Sequence, residues 1–441
     1  MKFNLKLTIT LLSIVFMTMS VQAQDTLKIT LKDAVRIALS DNPTIKVAGQ
    51  EIELKKTANK EAWSRLFPEV NAVGTYSRAI KKQSFAMSGQ VIKVGTKNNM
   101  TGGVTVSLPV FAPSLYKAIE LSKTDVKVAV EKSRASKLDM VNQVTKAFYQ
   151  LLLTQDSYEV LQKSYKQSED NYNVVSAQYD QGKVSEYDKI SAEVQMRSLK
   201  PNVVSASNGV ELAMLQLKVL MGLDDTTPIS IDGNLTDYEM AMFSRQASPQ
   251  PEHISLGNST LKQLELNAES LKKNIQLKKM NFLPSLSANF QYMYVSMSEH
   301  LHIAHYNWMP YSTLGLTLNI PLFKASNCTQ LKQARLQLKQ LSETRINTER
   351  QLKMQAQSYL NNMTSSTEQV VSNKEAVNQA KKGRMIAEKR YEVGEGTILE
   401  LNSSEVALTQ AELTYNQSIF DYLVAKADLD LVMGSDELIE K

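Results

Sequence analysis

Two acidic residues at matching places in a repeated motif are the first candidates for a functional role. Asp188 follows Gly182 by six residues in Tyr-Asp-Gln-Gly-Lys-Val-Ser-Glu-Tyr-Asp, and Glu400 follows Gly394 by six residues in Tyr-Glu-Val-Gly-Glu-Gly-Thr-Ile-Leu-Glu. A Ser or Thr stands three residues before each acid, which is the spacing of a capping box at a helix start. Each carboxylate is therefore predicted to stabilise a helix N-terminus by about 0.5 to 1 kcal/mol.

The same motif predicts a tight turn between two helices. Gly182 and Gly394 each follow an apolar periodic run, and glycine most easily adopts the left-handed conformation that ends a helix. Tyr179 and Tyr391 open the two copies, each three residues before its glycine. We therefore expect two helical hairpin tips, with the acids just past each turn.

A histidine-rich stretch suggests metal binding. His300, His302 and His305 lie close together with Glu299 beside them, and three imidazoles can bind zinc or copper. The stretch falls in a predicted exposed loop without an evident second shell of hydrogen-bonding partners. We therefore predict no resident metal and no cofactor, and keep these three histidines as the metal candidates.

Catalytic and nucleic-acid-binding patterns do not stand out in the sequence. We find no nucleophile paired with a base, glycine-rich phosphate loop or pair of catalytic carboxylates. The formal net charge is +5 over 441 residues, spread too evenly to indicate a nucleic acid partner. The sequence therefore predicts a protein that is neither an enzyme nor a nucleic acid binder.

The N-terminus indicates export. Lys2 and Lys6 precede an apolar run, and Val21-Gln-Ala23 resembles a cleavage site, so we predict a signal peptide and a mature chain that starts at Gln24. Cys328 is the single cysteine, which excludes an intrachain disulfide. No later run approaches the roughly 20 apolar residues of a membrane helix.

Two equivalent halves organise the rest of the chain, because its motifs recur in the same order. The predicted segments are a signal peptide at 1–23, a first repeat at 24–235, a linker at 236–254 and a second repeat at 255–441.

Apolar and polar residues alternate after Pro68 and again after Pro284, which predicts strands with one apolar face. The predicted strands span about 69–80 and 101–109 in the first repeat, and 285–296 and 311–321 in the second, with loops between the members of each pair. About ten residues is the length of a tilted membrane strand. Because about eight strands is the smallest closed barrel, other chains must supply the missing strands.

Long polar stretches with helical periodicity follow each strand pair. The predicted helices span 113–179, 185–221, 324–391 and 397–433. The heptad row that includes Leu401, Leu408 and Leu429 indicates coiled-coil packing. Pro201 predicts a kink or a break in the second of these helices.

The order of these pieces resembles the TolC family of outer membrane efflux proteins. An Asn-Pro helix, Leu-Pro-Val-Phe and Ile-Pro-Leu-Phe strand ends, Tyr-x-x-Gly tips and helices that end in Met-Gly occur in this order over essentially the whole mature chain. The resemblance implies a mixed α and β membrane protein, in which a homotrimer forms an outer-membrane β-barrel of four strands per chain, twelve in total. A long periplasmic α-helical coiled-coil barrel continues it.

The resemblance also assigns roles by position. Asp188 and Glu400 match the acids at the pore aperture, and Tyr179, Gly182, Tyr391 and Gly394 match the tips that contact a periplasmic adaptor. Ser403 and Gly396 stand where the best-known members carry a further acid and a tip arginine.

The predicted function is therefore a passive exit channel in the outer membrane of a Gram-negative bacterium, with a large periplasmic part. Its expected partners are a periplasmic adaptor (membrane fusion) protein, an inner-membrane transporter and outer membrane lipid. The cargo could instead be a protein secreted by a type I system, or metal ions. The alternative from another class of protein is an exported coiled-coil structural or adhesion protein without a pore, although such a protein does not need amphipathic strands.

Overall fold

The computed structural model describes residues 27–87, 90–231, 233–243, 257–301 and 307–435. The predicted signal peptide, part of the predicted linker, and two of the candidate metal ligands, His302 and His305, lie outside these ranges.

Helices make up most of the described chain. They are α1 (Leu31–Asp41), α2 (Pro43–Ser64), α3 (Pro113–Asp180), α4 (Glu186–Met221), α5 (Glu239–Phe243), α6 (Ser259–Met280), α7 (Ala325–Glu392) and α8 (Ile398–Met433). The strands are β1 (Leu27–Ile29), β2 (Glu69–Arg78), β3 (Gln83–Met87), β4 (Gln90–Val94), β5 (Asn98–Phe111), β6 (Ile229–Ile231), β7 (Ser285–Ser298) and β8 (Met309–Asn319).

Two compact units divide the chain, and each is assembled from separated segments. The first comprises Met1–Pro43, Lys137–Gln250 and Gln355–Lys441. The second comprises Thr44–Ser136 and Pro251–Met354 and includes the largest described sheet. Each unit therefore draws on both halves of the sequence.

The second unit contains a four-stranded antiparallel sheet in the order β2-β5-β7-β8. Its centre is the pair β5 and β7, which runs from Asn98 opposite Ser298 to Phe111 opposite Leu286. This long pairing extends β5 beyond the predicted 101–109 at both ends. Within the described residues, β2 and β8 each pair on one side only, so both edges of the sheet are open.

The two faces of this sheet have different chemistry. Directly paired residues share a face, and the pairs place Val70, Val106, Phe290 and Leu314 in one row across the four strands. The neighbouring row, on the opposite face, contains Asn71, Thr105, Gln291 and Thr313. The alternation in the sequence thus produces an amphipathic sheet.

The described part of the chain leaves the apolar face of the sheet uncovered. Leu314 and Leu316 are 77% and 71% exposed. A contiguous apolar surface of this kind marks a protein or membrane interaction site.

The four long helices come in two matched lengths. α3 and α7 have 68 residues each, and α4 and α8 have 36 each. At about 1.5 Å per residue the longer helices span roughly 100 Å. Leu401, Leu408 and Leu429, in the predicted heptad row, are buried, as coiled-coil packing requires.

Pro201 does not break its helix, so the predicted break is wrong. α4 continues through it from Glu186 to Met221.

Two segments expected to be irregular contain secondary structure. The loop predicted between the first two strands, residues 81–99, contains β3 and β4 paired as a hairpin. The linker predicted at 236–254 begins with a 3-10 turn at Leu235–Tyr238 and then α5. In addition, β1 pairs in parallel with β6, which joins the start of the described chain to the end of its first half.

No helix among the described residues is both long enough and apolar enough to span a membrane.

Candidate functional site

The first tip has the predicted turn and capping box. Gly182 has φ 68°, and its amide donates to the Tyr179 carbonyl at 2.8 Å. At the start of α4, the Ser185 hydroxyl accepts from the Asp188 amide at 3.2 Å, while the Asp188 carboxylate accepts from the Ser185 amide at 3.1 Å. The carboxylate thus completes both halves of the cap.

The second tip differs from the prediction at its acid. Gly394 has φ 79°, and the Thr397 hydroxyl accepts from the Glu400 amide at 3.2 Å. The Glu400 carboxylate forms no reciprocal bond to Thr397. It lies instead 3.5 Å from the Arg390 guanidinium, so the predicted second capping box is only half formed. A glutamate side chain is long enough to reach this competing cation.

Arg390 also holds the turn itself. Its carbonyl accepts from the amides of Glu395 and Gly396 at 2.8 and 2.9 Å, and its guanidinium donates to the Glu395 carbonyl at 3.0 Å. A Cβ at position 396 would lie only 3.0 Å from the Tyr391 amide nitrogen. Glycine at 396 therefore allows the turn to close against the end of α7.

One apolar cluster connects the two tips. Val175 of α3, Ala192 of α4, and Ile398 and Leu401 of α8 are buried together, and Tyr391 of α7 packs against them. All four long helices meet in this cluster, so the tips form one packed end rather than two independent turns.

Tyr391 carries an unusual polar group in this cluster. Its hydroxyl oxygen is buried and has no hydrogen-bond partner among the described residues. Desolvation, with a smaller contribution from the Asp188 charge, raises the pKa of Tyr391. Tyr391 of the second tip and Asp188 of the first are thus electrostatic neighbours. No hydrogen bond or ion pair joins Asp188 to Glu400 in the described part of the chain.

Tyr179 lies at the first tip but in a different setting. The Lys189 ammonium lies 4.8 Å from the centre of the Tyr179 ring and 3.7 Å from the Asp180 carboxylate. These contacts tie the end of α3 to the start of α4.

A buried carboxylate lies further along the same helices. Glu405 of α8 is 4% exposed, accepts from the Ser168 hydroxyl at 3.3 Å and lies 3.8 Å from the Arg384 guanidinium. Desolvation raises its pKa, and the Arg384 charge and the Ser168 hydrogen bond only partly oppose that effect. Arg384 is shared with Glu388 at 3.3 Å.

Sequence reasoning missed Arg390, Lys189 and the pair of Glu405 with Arg384. Arg390 directly precedes the tip tyrosine and could have been proposed as a partner for the Glu400 carboxylate. Glu405 is one of many polar residues in α8, so its burial could not be read from the sequence. Its pairing with Arg384 joins two different helices and cannot be found from spacing.

The metal hypothesis stays a prediction. Of its three histidines only His300 is described, and no group of metal-ligating residues is found among the described residues.

The fold is also that of known outer membrane channels. The Campylobacter jejuni CmeC outer membrane channel superimposes with a TM-score of 0.76 at 17% identity, covering 93% of this chain and 88% of CmeC. CusC, whose structures concern folding and transmembrane channel formation, superimposes with a TM-score of 0.74 at 16% identity, and the match covers 93% of each chain.

Sequence comparison leads to the family. The outer membrane protein TolC of Vibrio cholerae is 20% identical over 377 residues, which is 84% of this chain and 83% of that protein. TolC of Escherichia coli is 21% identical over 420 residues, which is 89% of this chain and 80% of that protein. The model of the outer membrane efflux protein family matches residues 34–223 and 251–435.

The chain belongs to the outer membrane efflux protein family. The predicted resemblance, efflux function and outer membrane location are thereby confirmed.

Proposed function

We propose that this chain is the outer membrane exit duct of a tripartite efflux system and works as a homotrimer. The observation that carries the proposal is the amphipathic four-stranded sheet with two open edges. Unpaired backbone groups cannot face lipid, so a membrane sheet has to close on itself. Four strands are too few to close, whereas three copies supply twelve.

The two rows of the sheet fit the two environments of such a barrel. The row through Val106 and Phe290 would face lipid, and the row through Thr105 and Gln291 would face a water-filled lumen. The long helices would continue the duct in the periplasm. Their matched lengths also favour an origin by internal duplication of the chain.

The packed tips would form the aperture at the far end of those helices. Threefold symmetry would bring Asp188 and Glu400 of three chains into a ring of six carboxylates. The surface around Tyr179, Gly182, Tyr391 and Gly394 would contact the periplasmic adaptor. Val393 and Leu399 are 69% and 62% exposed there, which suits docking by a partner.

The duct would be passive. An inner-membrane transporter would supply energy and select cargo, and the adaptor would open the tips by moving the helices apart. We assign no catalytic role to any residue.

Single-channel conductance in planar bilayers tests the proposal. We expect a small conductance for the wild type and a larger one for the Asp188→Ala, Glu400→Ala double variant, because a ring of carboxylates and its tip contacts would be removed. Glu343→Ala with Glu368→Ala, at two exposed acids of α7, is the matched control and should conduct like the wild type. Conductance unchanged in the tip variant would place the constriction elsewhere, and no conductance from any inserted trimer would count against a duct.

A further inference from the structure

The charges of the sheet are distributed very unevenly. Between Glu69 and Glu120 the sequence contains no acidic residue. Within this stretch, the segment from β2 to β5 contains five cations: Arg78, Lys81, Lys82, Lys93 and Lys97. The corresponding part of the second half, from Ser285 to Asn319, contains no Lys or Arg, and its one acid is Glu299.

All five cations lie at one end of the sheet. Arg78 is the last residue of β2 and pairs with Asn98, the first residue of β5. Beyond them, the Ala79 amide donates to the Lys97 carbonyl at 2.7 Å and holds the base of the β3–β4 hairpin. β2 enters the sheet from α2 and β5 leaves it towards α3, so this end is the one away from the helices.

Only one of these cations forms an ion pair within the described residues. Lys82 forms an ion pair with Glu299, which ties the hairpin to the loop after β7. Arg78, Lys81, Lys93 and Lys97 are exposed and have no ion pair among the described residues. The end of the sheet therefore presents an excess of positive charge, even though the Lys97 charge also acts on Glu299.

The hairpin also has an apolar face. Gln83 pairs with Val94 and Ser84 pairs with Lys93, so Phe85 and Val94 lie on one face and Lys93 on the other. Phe85 and Val94 are 50% and 52% exposed, and Ile80 beside them is fully exposed. Exposed apolar side chains next to cations are typical of elements that lie in a membrane interface.

We propose that the β3–β4 hairpin, together with the cations at its base, binds the phosphate groups of the anionic glycolipid lipopolysaccharide in the outer leaflet around the barrel. The inference rests on the proposed orientation, in which the helices lie in the periplasm and this end of the sheet faces outward. Several cations in and beside one hairpin match a multivalent phosphate surface, and the apolar face would contact the acyl chains beneath it. The hairpin would fix the depth of the barrel in the membrane.

Glycolipid binding by the purified, detergent-solubilised protein tests the proposal. The probe is fluorescent lipopolysaccharide, and the variant is Lys81→Gln, Lys93→Gln, Lys97→Gln, which keeps the pair of Lys82 with Glu299. At about 1 kcal/mol per cation near an anionic membrane surface, we expect roughly 100-fold weaker binding at low salt. Lys332→Gln, Lys339→Gln, Lys382→Gln, at exposed lysines of α7, is the matched control and should bind like the wild type.

Two further binding measurements distinguish phosphate groups on the glycolipid from free phosphate. Enzymatically dephosphorylated glycolipid should bind as weakly to the wild type as the intact lipid binds to the triple variant. Inorganic phosphate at the same phosphate concentration should not displace the lipid. Equal binding by the wild type and the triple variant would overturn the proposal, as would displacement by inorganic phosphate, which would indicate a site for free anions.

Orientation is tested separately. In a Cys328→Ser background, Ser84→Cys should react with a membrane-impermeant thiol reagent on intact cells, because Ser84 is exposed on the hairpin. Reaction in lysed cells without reaction in intact cells would contradict the proposed orientation. Glycolipid binding in detergent does not depend on orientation, so it tests the hairpin separately.

Discussion

Single residues at the two tips differ in their contacts although their sequence positions match. Asp188 completes a capping box, whereas Glu400 turns to Arg390. A shorter side chain stays close to its own helix start, and a longer one reaches the neighbouring turn. Arg390 thus supplies a guanidinium at the second tip, where Gly396 leaves the position of the family's arginine without one.

Glu405 gives a pH-dependent prediction at the residue scale. Its pKa in the folded protein is raised above the ordinary value of 4.5. The folded state therefore binds more protons than the unfolded state between these two pKa values, and stability falls as the pH rises through that window. Glu405→Gln removes the buried charge and keeps an acceptor for Ser168. It should stabilise the protein at pH 7.5 by on the order of 1 kcal/mol.

Thermal unfolding at pH 4.5 and pH 7.5 checks this expectation. The gain in Tm should be larger at pH 7.5, and Arg384 keeps Glu388 as its partner in the variant. Glu368→Gln, at an exposed glutamate of α7, is the control. Lower stability of Glu405→Gln at pH 7.5 would mean that attraction to Arg384 outweighs the cost of desolvation.

At the scale of elements, the two faces of β8 offer a matched pair of substitutions. Leu314 belongs to the apolar row and Thr313 to the polar row. Leu314→Arg would place a charge against lipid and should cost about 2 to 4 kcal/mol near the bilayer midplane. Thr313→Arg should be tolerated, because its side chain would point into water. Folding into lipid vesicles, followed by urea unfolding, measures the difference, and equal costs would contradict the assigned faces.

The elements themselves could be predicted where the signal is local. Alternation located the strands after Pro68 and Pro284, and periodicity located the four long helices to within a few residues. The β3–β4 hairpin was missed although Ser88-Gly89, between two short runs that contain apolar residues, is a general turn signal. The pairing of β1 with β6 joins segments far apart in sequence, and no local pattern encodes it.

The candidate site was predictable in its backbone and not in its side-chain partners. Both tip glycines have the expected positive φ. The contact of Glu400 with Arg390 depends on which way a flexible side chain turns. The burial of the Tyr391 hydroxyl depends on four helices meeting, which requires the tertiary structure.

The whole molecule should be a trimer. Native mass spectrometry from detergent should show one species of three chains, because three four-stranded sheets close a barrel of twelve strands. The double substitution Thr75→Pro, Thr101→Pro within β2 and β5 would remove backbone donors and should abolish the trimer. A stable, membrane-inserted monomer would contradict the assembly.

The open edges of the sheet have a consequence for how the protein is made. A lone protomer of the proposed trimer could not keep β2 and β8 in lipid, because each unpaired backbone group there would cost several kcal/mol. In the proposed trimer, insertion and assembly would therefore occur as one event, and each chain would wait for two others. The yield of inserted protein should then rise more steeply than in proportion to the rate of synthesis.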